Sequence, residues 1–370
     1  MIRRLSTLAL LAAACTGAST GASTGAGAQT MTVFGIFDAA VERVSNVGSP
    51  GASLSRMPSL TGSVPSRIGL RGSEDLGVGV RAIFVLEEGF TPDLGTMSQG
   101  GRAWGRQALV AVVGPWGTVG FGRQYTMLYW SLLDADILGP AIYGTGSLDA
   151  YIPNSRADNA FSWRGTFGAW TLGATYSLGR DSVNAGSPAG TNCGGESSDS
   201  KACREWSVLG KFDSPRWGAA LAVDEIRGGP GAFAGLASSA LKDRRVSANG
   251  YAVFGPLKLS LGLVRRANDA SVLAPKSDLW YLGAAWAATP ALTLDGEWLR
   301  LEYKTGPDRA TLGAARATYS LSRRTAVYAT FGHIANRGTL ALSVSAGAGG
   351  SNPAVGAVQS GLATGLRHSF

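Results

Sequence analysis

Thr32-Val33-Phe34-Gly35-Ile36-Phe37-Asp38-Ala39-Ala40-Val41-Glu42 is the stretch on which the fold turns. Read in steps of two, Val33, Gly35, Phe37, Ala39 and Val41 fall on one side. Thr32, Asp38 and Glu42 fall on the other, with Phe34, Ile36 and Ala40 among them. Successive side chains of an extended strand point to opposite faces, so the alternation predicts a β-strand with one apolar face and one charged face. Leu292, Leu294, Gly296 and Trp298 repeat it against Thr293, Asp295 and Glu297. Leu172, Ala174 and Tyr176 likewise stand opposite Thr171 and Thr175. Such strands suit a wall with lipid outside and water inside.

Outward from these strands the punctuation is of two kinds. Short turns fall at residues 74–77, 114–117, 165–168, 213–218, 255–256, 288–290 and 321–324. Longer polar or Gly-rich connections fall near 44–65, 89–101, 125–155, 180–204, 227–241, 267–277, 304–309 and 335–356. Strand, short turn, strand, long loop is the rhythm of a closed barrel with one clipped rim and one elaborate rim. Counting between the marks gives about sixteen strands, a size at which the lumen holds water; merging two hairpins would leave about twelve. The expected fold is all-β, a 16-stranded antiparallel transmembrane β-barrel with short periplasmic turns and long extracellular loops. Composition permits this: 53 of 370 residues are Gly, 16 % are charged and the mean hydropathy is +0.09. That is sparse charge for a soluble protein. Beyond the first residues the chain also lacks the apolar run of about 18 residues that a membrane helix needs.

The N-terminus has the layout of an export signal. Arg3 and Arg4 precede a short apolar segment, Leu5 to Ala14, and a small-residue stretch ends in Ala26-Gly27-Ala28. Cleavage before Gln29 divides the chain into a signal, residues 1–28, and a barrel domain, residues 29–370. Ala12-Ala13-Ala14-Cys15 loosely matches a lipoprotein box and is the competing processing site. Cleavage removes two arginines and no acid, so the net charge falls from +8 to +6. An exported chain does not meet nucleic acid, and no Lys/Arg run of the required length occurs. The mild positive balance points to a slightly positive pore or a surface facing anionic lipid. Cys15 leaves with the signal, while Cys193 and Cys203 share a Gly/Ser-rich stretch. In an oxidising compartment these two form a loop-pinning disulfide or remain free thiols. With His333 and His368 the only histidines, no metal set and no cofactor is expected.

Several motifs resemble the general porins of Gram-negative bacteria, in the branch typical of betaproteobacteria. Thr32 to Ala39 resembles that family's opening strand, and Ser66-Arg67-Ile68-Gly69-Leu70-Arg71-Gly72-Ser73-Glu74-Asp75-Leu76-Gly77 its second strand and turn. Arg106-Gln107-Ala108 and Gly122-Arg123-Gln124-Tyr125 follow at the family's spacing, and Gly365-Leu366-Arg367-His368-Ser369-Phe370 closes the chain. The resemblance spans essentially the whole mature sequence. It implies an outer-membrane channel for passive diffusion of small hydrophilic solutes, working without chemistry or energy coupling. It also implies a homotrimer, contact with outer-membrane lipids and lipopolysaccharide, and engagement by the barrel assembly machinery. Phe370, His368 and Leu366, on one face of the last strand, resemble that machinery's recognition signal.

By the same resemblance the third loop, residues 125–155, folds into the lumen opposite a ladder of basic wall residues. Matched strand by strand, the ladder falls on Arg67, Arg106 and Arg156. Period-two geometry adds Arg71 and Arg102, and Arg81 and Arg123 are further candidates. On the loop, Asp136 and Asp134 match the family's acids. Pro140 is followed by Ala141, where enterobacterial members carry Glu, which leans the constriction toward small anions. Trp163, Trp217, Trp280 and Trp298 are candidates for the interfacial aromatic girdles. Two other readings remain open: a barrel enzyme, for which only His333 or His368 could serve a Ser-His-acid set, and a non-conducting surface barrel acting in adhesion.

Overall fold

A computed structural model describes residues 30–370 apart from 49, 182–190, 196 and 234; the expected signal, residues 1–28, lies outside them. The strands are β1 (Thr30–Ser45), β2 (Ser53–Arg56), β3 (Arg67–Gly77), β4 (Val80–Gly89), β5 (Gln107–Gly114), β6 (Gly117–Tyr125), β7 (Arg156–Phe167), β8 (Trp170–Ser177) and β9 (Glu205–Asp213). They continue as β10 (Trp217–Arg227), β11 (Lys242–Phe254), β12 (Leu257–Asn268), β13 (Lys276–Ala287), β14 (Leu292–Tyr303), β15 (Arg309–Ser320), β16 (Thr325–Arg337) and β17 (Val358–Ser369). Every pairing is antiparallel and between neighbours, and β1 with β17 closes the ring. β2 and β3 both lie against β1, β2 on Glu42–Ser45 and β3 on Thr30–Ile36. They are two halves of one wall position, so seventeen segments make a 16-stranded barrel.

The alternation sorts as the sequence predicts. Leu294 and Trp298 are exposed on the outer face, and Glu297 is buried within the barrel beneath the inward loop. Trp217, Trp280 and Trp298 are outward and 42–50 % exposed, as girdle residues are. In the short turn between β3 and β4, Gly77 and Gly79 take left-handed backbone (φ 85° and 76°) at no steric cost and hold Val78 between them at φ 47°. At closure, Gly35 and Phe370 exchange both main-chain hydrogen bonds, each 3.1 Å.

The lumen is not an open tube. Residues 126–155 run inside it, starting with the short helix Met127–Leu132. Leu128, Leu132, Leu138, Ile142, Tyr143 and Ile152 of this loop are buried in one cluster. Its other half is the inner face of β12–β16, with Val264, Leu279, Leu299, Leu301, Leu312 and Ile334. Those strands carry apolar side chains on both faces near the elaborate rim, which gives the loop a seat. The connection expected at 44–65 contains β2 and then a second inward segment, residues 57–66. Its Thr61 Oγ1 donates to Pro140 O (2.7 Å), and its Gly62 O accepts from Ile142 N (2.8 Å), so it braces the loop. Cys193 and Cys203 are joined as a disulfide.

Candidate functional site: a basic cluster on one wall of the lumen

Five adjacent strand ends come into line where the inward loop leaves the wall. Arg67 opens β3, Glu87 lies near the end of β4, Arg106 immediately precedes β5, Tyr125 ends β6 and Arg156 opens β7. The register sets Gly69 opposite Glu87, Glu87 opposite Gln107, and Tyr125 opposite Arg156. Glu87 is the hub: Arg106 Nε donates to its Oε1, Gln107 Nε2 to its Oε2 at 2.8 Å, and Arg67 Nε is 3.7 Å from Oε1. The Tyr125 hydroxyl accepts from Arg106 Nη2 (2.7 Å) and Arg156 Nη2 (3.0 Å). Arg156 also lies over the Tyr125 ring, 4.6 Å from its centroid, and donates to Asn154 Oδ1 at 3.2 Å. Tyr129 of the loop helix stacks on Tyr125 with ring centroids 3.7 Å apart.

Arg67 and Arg106 therefore share one carboxylate, and Arg156 joins them through the Tyr125 hydroxyl. They differ in access: the Arg67 side chain is 24 % exposed, whereas Arg106 and Arg156 are nearly buried. Arg102 and Arg123 form a separate group on Asp158, at 3.5 and 2.5 Å, with Arg123 Nε donating to Gly105 O. Arg71 lies four residues along β3 from Arg67, about 13 Å of extended chain, with its guanidinium over the Phe34 ring. Arg81 stands opposite Asp75 beside the β3–β4 turn.

The loop's acids are engaged elsewhere. Asp136 accepts from Gly139 N (2.9 Å) and Thr145 Oγ1 (2.8 Å), and burial holds its carboxyl above the usual range. Asp134 pairs with Lys211 of β9. Asp149 takes a two-pronged contact from Arg245 of β11, at 2.8 and 3.1 Å. Burial alone would raise Asp149, but Arg245 and Arg266 reverse that and hold it low. Asp136, Tyr129, Arg316 and Arg367 line a lumen cavity of about 250 Å³. Sequence reading did not single out Tyr125, Tyr129, Arg245, Arg316 or Arg367. For the last three the available signal was their alternation position, which puts each on the inner face.

Both histidines are on the outer face and contact hydroxyls. His333 Nδ1 is 2.8 Å from Ser360 Oγ, and His368 Nδ1 is 2.9 Å from Thr325 Oγ1. Among the described residues no carboxylate completes either pair, and no group of His, Cys, Asp and Glu has metal-binding geometry.

Comparison with known proteins adds four observations. The family profile described as Gram-negative porin matches residues 7–339. Outer membrane porin protein 32 of Delftia acidovorans is 27 % identical over 381 aligned positions, covering 99 % of each chain. Among solved structures, the anion-selective porin from Comamonas acidovorans superposes with a TM-score of 0.75 at 22 % identity, over 93 % of this chain and 100 % of that one. The trimer form of Vibrio cholerae OmpT gives 0.64 at 13 %, over 93 % and 100 %.

Proposed function

The chain belongs to the Gram-negative porin family, and from that premise we propose that the cluster of Arg67, Arg106 and Arg156 makes its channel anion-leaning. The protein is an outer-membrane porin, a non-enzymatic channel. The observation carrying the proposal is the charge surplus around Glu87: two guanidiniums meet at its carboxylate and a third, Arg156, is tied in through the Tyr125 hydroxyl, while the loop's Asp134 and Asp149 are neutralised by Lys211 and Arg245. A small anion passing Tyr129 meets an attractive field and one reachable donor fork, Arg67. A cation meets the same field as a barrier, the logic of charged rings in other channels. Asp136 takes the part of a loop staple in this reading, and Arg102, Arg123, Arg71 and Arg81 line the approach.

The remaining expectations belong to the same proposal. Residues 1–28 serve as the export signal, and three copies assemble in the membrane, as porins typically do. Phe370, with Leu366 and His368 on its face of β17, is the handle for the assembly machinery; its ring lies over Gly35.

The test is single-channel recording of the folded mature chain in a planar bilayer under a salt gradient. Wild type is expected to give ohmic steps and an anion-leaning reversal potential, and Arg67→Ser a shift toward cations of many millivolts with steps intact. A cation-leaning wild type, or an unmoved potential in Arg67→Ser, would reject the assignment.

A further inference from the structure

Behind the inward loop, a group of buried oxygens on the lumen wall is left without partners. On the inner face Thr175 (β8), Ser207 (β9) and Asp224 (β10) stand side by side in one register row. Ser177 and Glu205 stand together in the next row towards the elaborate rim. All five are buried, Glu205 and Asp224 completely. Both ends of the inward loop cover them. Met127 N donates to Ser207 Oγ (3.0 Å), the Thr126 hydroxyl faces Asp224, and the Tyr151 hydroxyl reaches both Asp224 oxygens at 3.0 Å.

Buried polar atoms nearly always find a partner, because an unmet one bears the full cost of its lost water. Among the described residues, neither carboxylate oxygen of Glu205 has a hydrogen-bond partner, nor has Thr126 Oγ1 or Thr175 Oγ1. Glu205 and Asp224 are also near enough for their charges to interact. Two carboxylates in a dry place repel strongly unless a positive charge stands between them. The guanidiniums nearby are committed: Arg180 to Asp181, Arg245 to Asp149 and Asp243, and Arg266 to Asp243. Around Tyr151, whose ring lies between Arg180 and Arg245, five carboxylates thus face three guanidiniums. The surplus is two negative charges, and it falls on Glu205 and Asp224.

We infer that Glu205 and Asp224 hold a divalent, oxygen-seeking cation of the size of Ca²⁺, with Thr126 and Thr175 as further donors, and that the ion fastens both ends of the inward loop to the wall. A surplus of two charges calls for a divalent ion, and donors that are all oxygen suit a hard one. Carboxylates and hydroxyls drawn from three strands and a loop make the irregular shell that Ca²⁺ accepts and Mg²⁺ resists. With only two carboxylates, this set differs from the His, Cys, Asp and Glu groups that are absent among the described residues. Neither Arg67 nor Glu87 is among the donors, so the inference goes beyond the anion-leaning reading and does not depend on it.

The test uses the full mature chain, refolded in neutral detergent with EGTA and then dialysed to equilibrium against CaCl₂, which allows for slow entry behind the loop. Wild type should bind a single Ca²⁺ per chain, and Mg²⁺ far more weakly. Glu205→Gln, the same shape without the charge, should lose about a hundredfold in affinity. Asp269→Asn, which alters an exposed acid on a rim loop, should lose nothing. No bound Ca²⁺ in wild type, equal affinity for Mg²⁺, unchanged binding in Glu205→Gln or an equal loss in Asp269→Asn would each overturn the site. If Glu205→Gln does not fold, Thr175→Val should lose about tenfold, and no loss would overturn it. Reversal potentials of the same preparations report separately on Arg67, so the two readings fail independently.

Discussion

Arg67 and Arg106 touch the same carboxylate oxygen, yet their consequences differ because their burial differs. Arg106 is about 5 % exposed and holds both Glu87 and the Tyr125 hydroxyl. Removing it leaves a buried Glu87 facing only Gln107 and a more distant Arg67. Breaking a buried ion pair from one side costs about 3–5 kcal/mol, because the charge left behind has lost its partner. Arg106→Ser is expected to lower the thermal unfolding midpoint clearly, and Arg106→Met with Glu87→Gln to recover most of it, since both charges then leave together. Arg67→Ser should leave the midpoint nearly unchanged. Thermal melts of the four proteins in one detergent check this; a double variant no more stable than Arg106→Ser would mean that the pair is not what Arg106 supports.

At the scale of elements, the inward loop is held by shape as well as by charge. The buried ring of Tyr143 rests where two glycines leave room: a Cβ on Gly332 or on Gly361 would come within 2.7 Å of that ring. Gly361→Val should therefore lift the middle of the loop from β16 and β17 while leaving the barrel's own pairing intact. Single-channel traces are expected to show frequent sub-conductance flicker with unchanged strand content by circular dichroism, and quiet wild-type steps would refute the seat. This part of the molecule was the least legible in the sequence. The turns could be read because Gly114-Pro115-Trp116-Gly117 and its counterparts carry their own backbone constraint. The loop's place on the far wall depends on residues more than a hundred positions away, such as Leu299 and Leu312, whose alternation puts them on the inner face with Glu297 and Arg316. The segment 57–66 reads as an ordinary polar connection, since nothing local marks that Gly62 will meet Ile142. That Arg67, Arg106 and Arg156 lie at strand ends was legible, the first two from motifs and the third from strand-by-strand matching; the engagement of Asp136, Asp134 and Asp149 was not, because each partner or neighbour lies on a distant strand.

For the whole molecule, the lumen's charge is one-sided. On the wall facing the basic cluster the cations are mostly matched: Arg245 by Asp149 and Asp243, Arg266 by Asp243, Arg316 by Asp295, and Lys211 by Asp134. The β3–β7 side carries the surplus. On the proposed anion-leaning reading, ions in the opening feel this surplus over a distance set by screening, about 30 Å at 0.01 M salt, about 10 Å at 0.1 M and about 3 Å at 1 M. At the low end the field crosses the passage, and every ion is sorted by it. At the high end only an ion touching Arg67 feels the cluster, because Arg106 and Arg156 are shielded behind Tyr125 and Tyr129. The anion-to-cation permeability ratio from reversal potentials should therefore be largest in dilute salt and fall steeply toward unity by 1 M, while conductance rises. In Arg67→Ser the residual preference at 1 M should vanish and the preference at 0.01 M should only weaken, since the buried pair still contributes its field. A ratio that stayed constant across this range would mean that anions are sorted by direct contact within the opening, and the unpaired wall charge would then have no part in selectivity.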